Sequence, residues 1–494
     1  MRAVLPFIVF LAATSLYAQN PASPTDSGKR PARVLIKSAM VINGNGKPAA
    51  GPYDISVVDD RIERISRSIK AKGGDVVIDA SGKYVMPGLI NLHGHTQDGR
   101  GGVPQPVEYC MKLWLASGIT TVRDLGAGPK TLKWREQSAN NEIPSQKIYA
   151  YGVFTRSPNP QTAEAARQRV RDLKSEGYDG IKLFGVDRDI MAAMMDEAKN
   201  QGMRVAHHTA VEETNAWDDV KFGTTTIEHW YGIPEAAMAN QRQTYPADYN
   251  YNDEVDRFRY AGRIWREAEP KRLMKLFDAM VKNNVAWNPT LSIYEASRDL
   301  QRAQNQPYFK DYLHPTVEEF FKPNPKNHGS YFIGWTSTDE AYWSENFRIW
   351  MRALREFEKR GGIIGAGEDA GFIYRLYGFG MVRELELHQE AGFTPLQVIR
   401  HATSNNARIM GIGQETGRIR QGYKANLIVV NGNPLEDFKL LYPSGTDGVK
   451  DGKVVRTGGV EWTIKDGIPF HGPTLAKEVR DMVRDAKKAR AARP

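Results

Sequence analysis

The apolar positions of this chain fall into two textures. In residues 33–84, short runs such as Val34-Leu35-Ile36, Met40-Val41-Ile42 and Asp54-Ile55-Ser56-Val57-Val58 are broken by turn formers, Asn43-Gly44-Asn45-Gly46 and Asp59-Asp60 among them. Arg61-Ile62-Glu63-Arg64-Ile65 alternates as a half-buried antiparallel strand does. The same texture returns near the other end, in Ala425-Asn426-Leu427-Ile428-Val429-Val430 and across residues 448–455. Two β-rich ends flanking a long middle predict a small composite β-sandwich domain, built from residues 33–84 and 411–470.

The middle, residues 85–410, alternates apolar strand-like runs with periodic segments of helical length. Candidate strands are 89–95, 119–124, 147–153, 180–184, 204–208, 225–229, 284–289 and 363–369, and 162–177 and 187–202 read as helices between them. Such alternation predicts an α/β fold of βα units, and eight units fit a closed (β/α)8 TIM barrel better than an open sheet. The aromatic-rich stretch 294–343 is too long for an ordinary connection, so it is a lid or a local insertion.

Composition changes this picture little. In 494 residues, 41% are hydrophobic and 25% charged, an ordinary globular balance. The single cysteine, Cys110, excludes a disulfide framework and a cysteine-rich zinc site. The net charge of +9 is concentrated at one end: residues 477–493 hold seven basic and three acidic side chains, read as a helix-like basic tail over 471–494. A basic patch on the main body is therefore not implied, and no nucleic-acid partner is expected. Arg2, the apolar run 4–13 and the stretch Ser15-Leu16-Tyr17-Ala18-Gln19 have the layout of a secretory signal peptide over residues 1–18, followed by a linker over 19–32. The expected mature protein is periplasmic or secreted. No later run reaches the roughly 18 apolar residues of a membrane span, so no anchor is expected after processing.

Candidate chemistry lies at the strand ends. His93-Gly94-His95 closes the first candidate strand, and residues two apart on a strand face the same way, so both imidazoles can converge on one ion. Lys182 sits inside the apolar segment Gly180-Ile181-Lys182-Leu183-Phe184, where an unpaired ammonium is costly to bury. His207-His208 ends the fifth candidate strand, His229 the sixth and Asp369 the eighth. Groups in this order at the C-terminal ends of barrel strands are where such folds build active sites.

The run Tyr84-Val85-Met86-Pro87-Gly88-Leu89-Ile90-Asn91-Leu92-His93-Gly94-His95 resembles the amidohydrolase superfamily, in particular its imidazolonepropionase-like and prolidase-like branch. So do Asn433-Pro434-Leu435-Glu436-Asp437 and Val449-Lys450-Asp451-Gly452-Lys453-Val454. The resemblance implies a metal set of His93, His95, Lys182, His208, His229 and Asp369. It implies two divalent ions, with zinc expected, and a carbamate on Lys182 derived from carbon dioxide. On the fifth strand it aligns His208 as ligand and leaves His207 a supporting or substrate-facing place. Asp369 is the implied proton carrier. Tyr231, just past the sixth-strand histidine, either hydrogen-bonds substrate or packs. The expected activity is hydrolysis of an amide or peptide bond in a small-molecule or peptide substrate, a dipeptide with a free carboxylate first among them. Assembly into a homo-oligomer is left open.

Three rival readings come from the same residues. Gly365-Ala366-Gly367-Glu368-Asp369-Ala370, with Glu390 downstream, satisfies a dinucleotide-binding pattern, but it sits late in the chain and is followed by the bulky Phe372-Ile373-Tyr374. A one-metal deaminase or cyclic-amide hydrolase of the same fold would lack the bridging lysine. A non-catalytic ligand-binding protein would not need the full ligand set. His401 reads as structural, and His314, His328, His388 and His471 as surface residues.

Overall fold

The computed structural model describes residues 21–155, 160–209, 214–239, 249–250, 253–325 and 329–492. Seven parallel strands form one sheet in sequence order: Leu89–Gly94, Ile119–Ala127, Lys147–Phe154, Gly180–Phe184, Arg204–His208, Thr226–Glu228 and Ala286–Asn288. The eighth expected strand, 363–369, closes the barrel by backbone hydrogen bonds to both neighbours. Trp287 N donates to Ile363 O (3.0 Å) and Gly365 N to Trp287 O (2.9 Å); on the other side Leu92 N donates to Ala366 O (3.1 Å) and Asp369 N to His93 O (2.9 Å). The glycines of this segment serve that closure. A Cβ at Gly365 would lie 2.5 Å from Leu92 Cδ1, and one at Gly367 2.6 Å from His93 N. The segment opens no βαβ unit, and the next helix begins only at Phe379.

Helices Ala163–Ser175 and Arg188–Asn200 show how the pattern builds the barrel wall. Thr162 caps the first by accepting from Ala165 N. Ala166, Val170 and Leu173 on one helix, and Ile190, Met191 and Met194 on the other, form apolar stripes at helical spacing. These pack against Ile181 and Leu183, which point outward from the fourth strand. Burying each large aliphatic side chain contributes about 2 kcal/mol. The same alternation turns Lys182 inward.

The second sheet draws strands from both ends of the chain, as expected. Its order is Ile468–His471, Val460–Lys465, Leu427–Val430, Tyr84–Pro87, Arg33–Val41, Ala50–Val58 and Arg61–Ser66, with Val76–Asp79 also paired to Arg33–Val41. Residues 448–455 do not join it. They fall in a separate hairpin, Thr446–Lys450 with Lys453–Thr457, turning at Asp451 and Gly452, both with positive φ. Its apolar pair Val449 and Val454 stays exposed, while Val455, on the opposite face of the hairpin, is half-buried.

Three other expectations need correction. The stretch expected as a linker lies against the sheet from residue 21 on: Ala22 N donates to Val77 O (2.7 Å) and Gly28 N to Pro469 O (2.8 Å). The basic tail is a packed helix, Gly472–Ala491, that buries Leu475, Ala476, Val479 and Val483 at helical spacing against helix Val107–Ala116. His314 and His388 are buried, not on the surface. His314 caps helix Pro315–Phe321, and His388 pairs with the buried His401. The expected signal peptide and His328 lie outside the described residues. Among the described residues no helix is long and apolar enough to cross a membrane. The stretch 294–343 forms short helices, Leu300–Gln304, Phe309–Tyr312 and Pro315–Phe321, between Leu291–Arg298 and the long Ser337–Lys359, and it brings Tyr294 and Tyr331 to the barrel mouth.

Candidate metal centre and active-site cleft

His93, His95, Lys182, His208, His229 and Asp369 line one cleft of about 220 Å³ at the C-terminal ends of the strands. Asp369 is its hub: Oδ1 lies 3.0 Å from His95 Nε2 and 3.6 Å from His93 Nε2, and Oδ2 lies 3.8 Å from His229 Nε2. His93, His229 and Asp369 each offer a ligand atom within 4.8 Å of the others. The His208 ring sits 4.6 Å from that of His229. Lys182 Nζ is buried beside them with no hydrogen-bond partner.

The two fifth-strand histidines point in opposite directions. Lys182 pairs in register with Ala206 and Phe184 with His208, so these residues share the inner face. His207 points outward, fully buried, with Nδ1 2.6 Å from Asp219 Oδ1. It does not line the cleft, so the substrate-facing alternative for His207 is excluded.

Backbone strain is concentrated here. His229 (φ +61°), Thr290 (φ +48°) and Asp369 (φ +47°) all occupy the left-handed region, which costs such residues of order 1 kcal/mol or more each. Barrel hydrogen bonds hold them there: His229 N donates to Asn288 O (2.9 Å), and Asp369 N to His93 O. Thr290 in turn bonds His229 Nδ1 through Oγ1 at 2.6 Å.

Protonation follows from burial. Desolvation pushes His93 down to about 4 and His208 and His229 well below their ordinary value, so these rings are neutral and carry a lone pair. Desolvation lowers Lys182 to about 8 against the pull of Glu228 and Asp369. Burial alone would raise Asp369, but the imidazoles of His93, His95 and His229 hold it well below the usual carboxylate range. Neutral imidazoles around an ionised carboxylate are the protonation states a divalent cation requires, so the donor set fits such an ion.

Sequence reasoning missed the layer behind these groups. Glu228, completely buried, accepts from Arg123 Nη2 (2.6 Å) and Asn288 Nδ2 (2.7 Å) and meets His93 Nδ1 at 2.9 Å. Burial would raise its carboxyl, but Arg123 and His93 hold it well below the usual range. A signal was present: Arg123 and Glu228 are charges inside apolar strands, and each needs a buried partner. The walls of the cleft were also unforeseen. Arg100 lies 3.9 Å from the centre of the Phe372 ring, Arg257 brings a second guanidinium, and Phe184, Phe258, Tyr294 and Tyr331 complete the lining. Tyr231 is stacked on His208 (5.1 Å, 16°) and faces the same cleft.

A parallel barrel with histidines and an aspartate at its strand ends, joined to a sheet from the chain ends, defines a class of metal-binding barrel proteins. Residues 84–257 and 339–455 match the amidohydrolase family, and the chain belongs to that family. The unmatched stretch 258–338 contains most of the helical insertion. The chain is 36% identical over 156 residues to a dihydroorotase of Bacillus licheniformis, covering 31% of this chain and 33% of that one. It is 22% identical over 416 residues to a dihydroorotase of Pelotomaculum thermopropionicum, covering 81% and 89%. Against the first curated relatives it matches, the chain spans only about a third to a half of their length. In fold it is similar to a Xaa-Pro dipeptidase with bound methionine in the active site, with a TM-score of 0.62 and 20% identity over 89% of this chain and all of that one.

Proposed function

We propose that this protein is an exported, metal-dependent hydrolase of carbon–nitrogen bonds that cleaves the amide or peptide bond of a small substrate carrying a free carboxylate. The observation that carries the reading is the cluster of neutral imidazoles and ionised Asp369 around the partnerless Nζ of Lys182. In it His93, His95, His208, His229 and Asp369 would hold divalent ions, zinc being the expected one. When bound, such ions acidify water into a nucleophile at neutral pH and polarise a carbonyl oxygen.

The chain's own residues do the rest. A neutral Lys182 amine can add to carbon dioxide, forming an N–C bond and releasing a proton to solvent. The resulting carbamate replaces an unpaired buried cation with an anion bearing two donor oxygens. Asp369, ionised and braced by His95, accepts the proton of the attacking water on its carboxylate and returns it to the leaving nitrogen. Tyr231, fixed by its stack on His208, presents its hydroxyl to a substrate carbonyl or carboxylate. Arg100 and Arg257 make the outer cleft cationic, which favours a substrate carboxylate, while the aromatic walls accept its apolar side chain.

A second reading, hydrolysis of a cyclic amide with one ion held by His93, His229 and Asp369, is favoured by the dihydroorotase names of the curated relatives. Incubating zinc-loaded protein with dipeptides, N-acyl amino acids and cyclic amides, and identifying the hydrolysis products by mass, separates the two. Cleavage of dipeptides supports the first, cleavage of cyclic amides alone the second, and turnover of neither class rejects both. The export component rests on Arg2, the apolar run 4–13 and Ala18. N-terminal sequencing of protein from the periplasm or medium should begin at Gln19; a product retaining Met1 would contradict it.

A further inference from the structure

Glu228 is completely buried behind the cleft, outside its lining, and bonds three side chains next to the metal cluster. Its oxygens divide their work. Oε1 accepts from Arg123 Nη2 at 2.6 Å, and Arg123 is itself fixed by Leu92 O (2.7 Å) and Thr226 Oγ1 (2.9 Å). Oε2 takes Asn288 Nδ2 at 2.7 Å and faces His93 Nδ1 at 2.9 Å. A carboxylate paired with a buried guanidinium is an acceptor only, so the atom opposite Oε2 must be a donor.

We propose that Glu228 is a positioning residue that fixes the proton of His93 on Nδ1 and so keeps the Nε2 lone pair facing the cluster before any ion arrives. Two carboxylates compete for that single proton, and distance decides between them. Glu228 meets Nδ1 at 2.9 Å, a hydrogen-bond length, whereas Asp369 Oδ1 is 3.6 Å from Nε2, beyond one. Asp369 is served instead by His95 Nε2 at 3.0 Å. Fixing the free nitrogen of a ligating histidine in this way raises the site's affinity by setting tautomer and ring orientation together.

In Glu228→Gln the oxygen must stay opposite Arg123, which has only donors. The amide NH2 therefore replaces Oε2 and points at His93 Nδ1 and Asn288. Asn288 can turn its Oδ1, otherwise without a partner, to accept one of these hydrogens. His93 Nδ1 then has to accept the other, and its proton moves to Nε2, masking the lone pair.

The inference rests on the metal-site reading proposed above, yet its test needs neither substrate nor turnover. Metal-free protein carrying 15N-histidine, with His93 signals assigned by their loss in His93→Gln, reports the tautomer by long-range proton–nitrogen correlation. Wild type should show His93 protonated at Nδ1 and bare at Nε2. Glu228→Gln should show the reverse, and its zinc affinity in chelator competition should fall by about 10- to 100-fold. A wild-type proton on Nε2 would overturn the proposal. So would a folded Glu228→Gln with an unchanged tautomer or wild-type zinc affinity. If that variant fails to fold, the wild-type spectrum still decides. A correct tautomer in a protein that cleaves no amide would leave this inference standing and sink only the functional reading.

Discussion

Two buried polar clusters in this protein both combine histidines with carboxylates, and they differ in whether their polar atoms are satisfied. Glu384, His388, His401 and Glu358 form a continuous chain. Glu384 Oε1 is 3.2 Å from His388 Nε2, the two Nδ1 atoms are 2.9 Å apart, and His401 Nε2 is 3.0 Å from Glu358 Oε1. Its ends are also occupied: Glu384 accepts from Leu291 N (2.9 Å) and Ser292 N (2.7 Å), and Glu358 pairs with Arg400. Every ring nitrogen is used, so no lone pair remains for an ion. In the cleft, Lys182 Nζ has no partner, and the ligand atoms of His93, His229 and Asp369 converge without hydrogen bonds among themselves. Buried polar groups are ordinarily satisfied within the protein. A cluster that is satisfied holds the fold together; one that is not, and that sits on strained backbone, is waiting for something to bind.

That contrast can be broken from either side. The largest effect is expected at Lys182. Lys182→Ala should reduce kcat/KM by about 100- to 1,000-fold, yet leave the metal-free protein as resistant to denaturant as wild type or more so, because an unpaired buried cation has gone. Acetate or formate added to the variant should restore part of the activity. Next is acid. His93 has an ordinary value of 6.5 and a folded value of about 4, so between these pH values the unfolded chain binds the extra proton. Stability of the metal-free protein should therefore be full above pH 6.5 and fall as pH drops toward 4, by about 3 kcal/mol for this residue. Denaturant midpoints across that range check the sign. In the satisfied cluster, His388→Ala should cost about 1–3 kcal/mol in stability, because it leaves Glu384 and His401 short of a partner, while zinc content stays unchanged. The smallest effect is expected from Tyr231→Phe, which loses one hydrogen bond to substrate: about 10-fold in kcat/KM, with metal content and fold intact.

What the sequence revealed follows the same divide. The inward groups were legible because period-2 alternation and strand-end position point them to one place, whereas His208 was preferred to His207 only through the family resemblance. The helix Gly472–Ala491 was misread because its charges outnumber its apolar residues, though Leu475, Ala476, Val479 and Val483 already mark a buried stripe. His314 and His388 were misplaced because their nearest partners, Thr316 two residues on and Glu384 one helical turn back, are local and say nothing of burial, which is set by the segments that pack over them. Glu228 and Arg123 each showed a charge inside an apolar strand, but not that they pair: they lie 105 residues apart, and only the barrel brings them together.

Native mass spectrometry of the purified protein, reconstituted with zinc under bicarbonate, reads both metal stoichiometry and the mass added by carbon dioxide in one spectrum. The account predicts close to two zinc ions per chain and one carbon dioxide adduct. It predicts that the adduct disappears in Lys182→Ala and that metal is lost in Asp369→Asn, while His388→Ala keeps both. A folded wild-type protein that takes up no zinc, or that binds it equally well without Asp369, would contradict it.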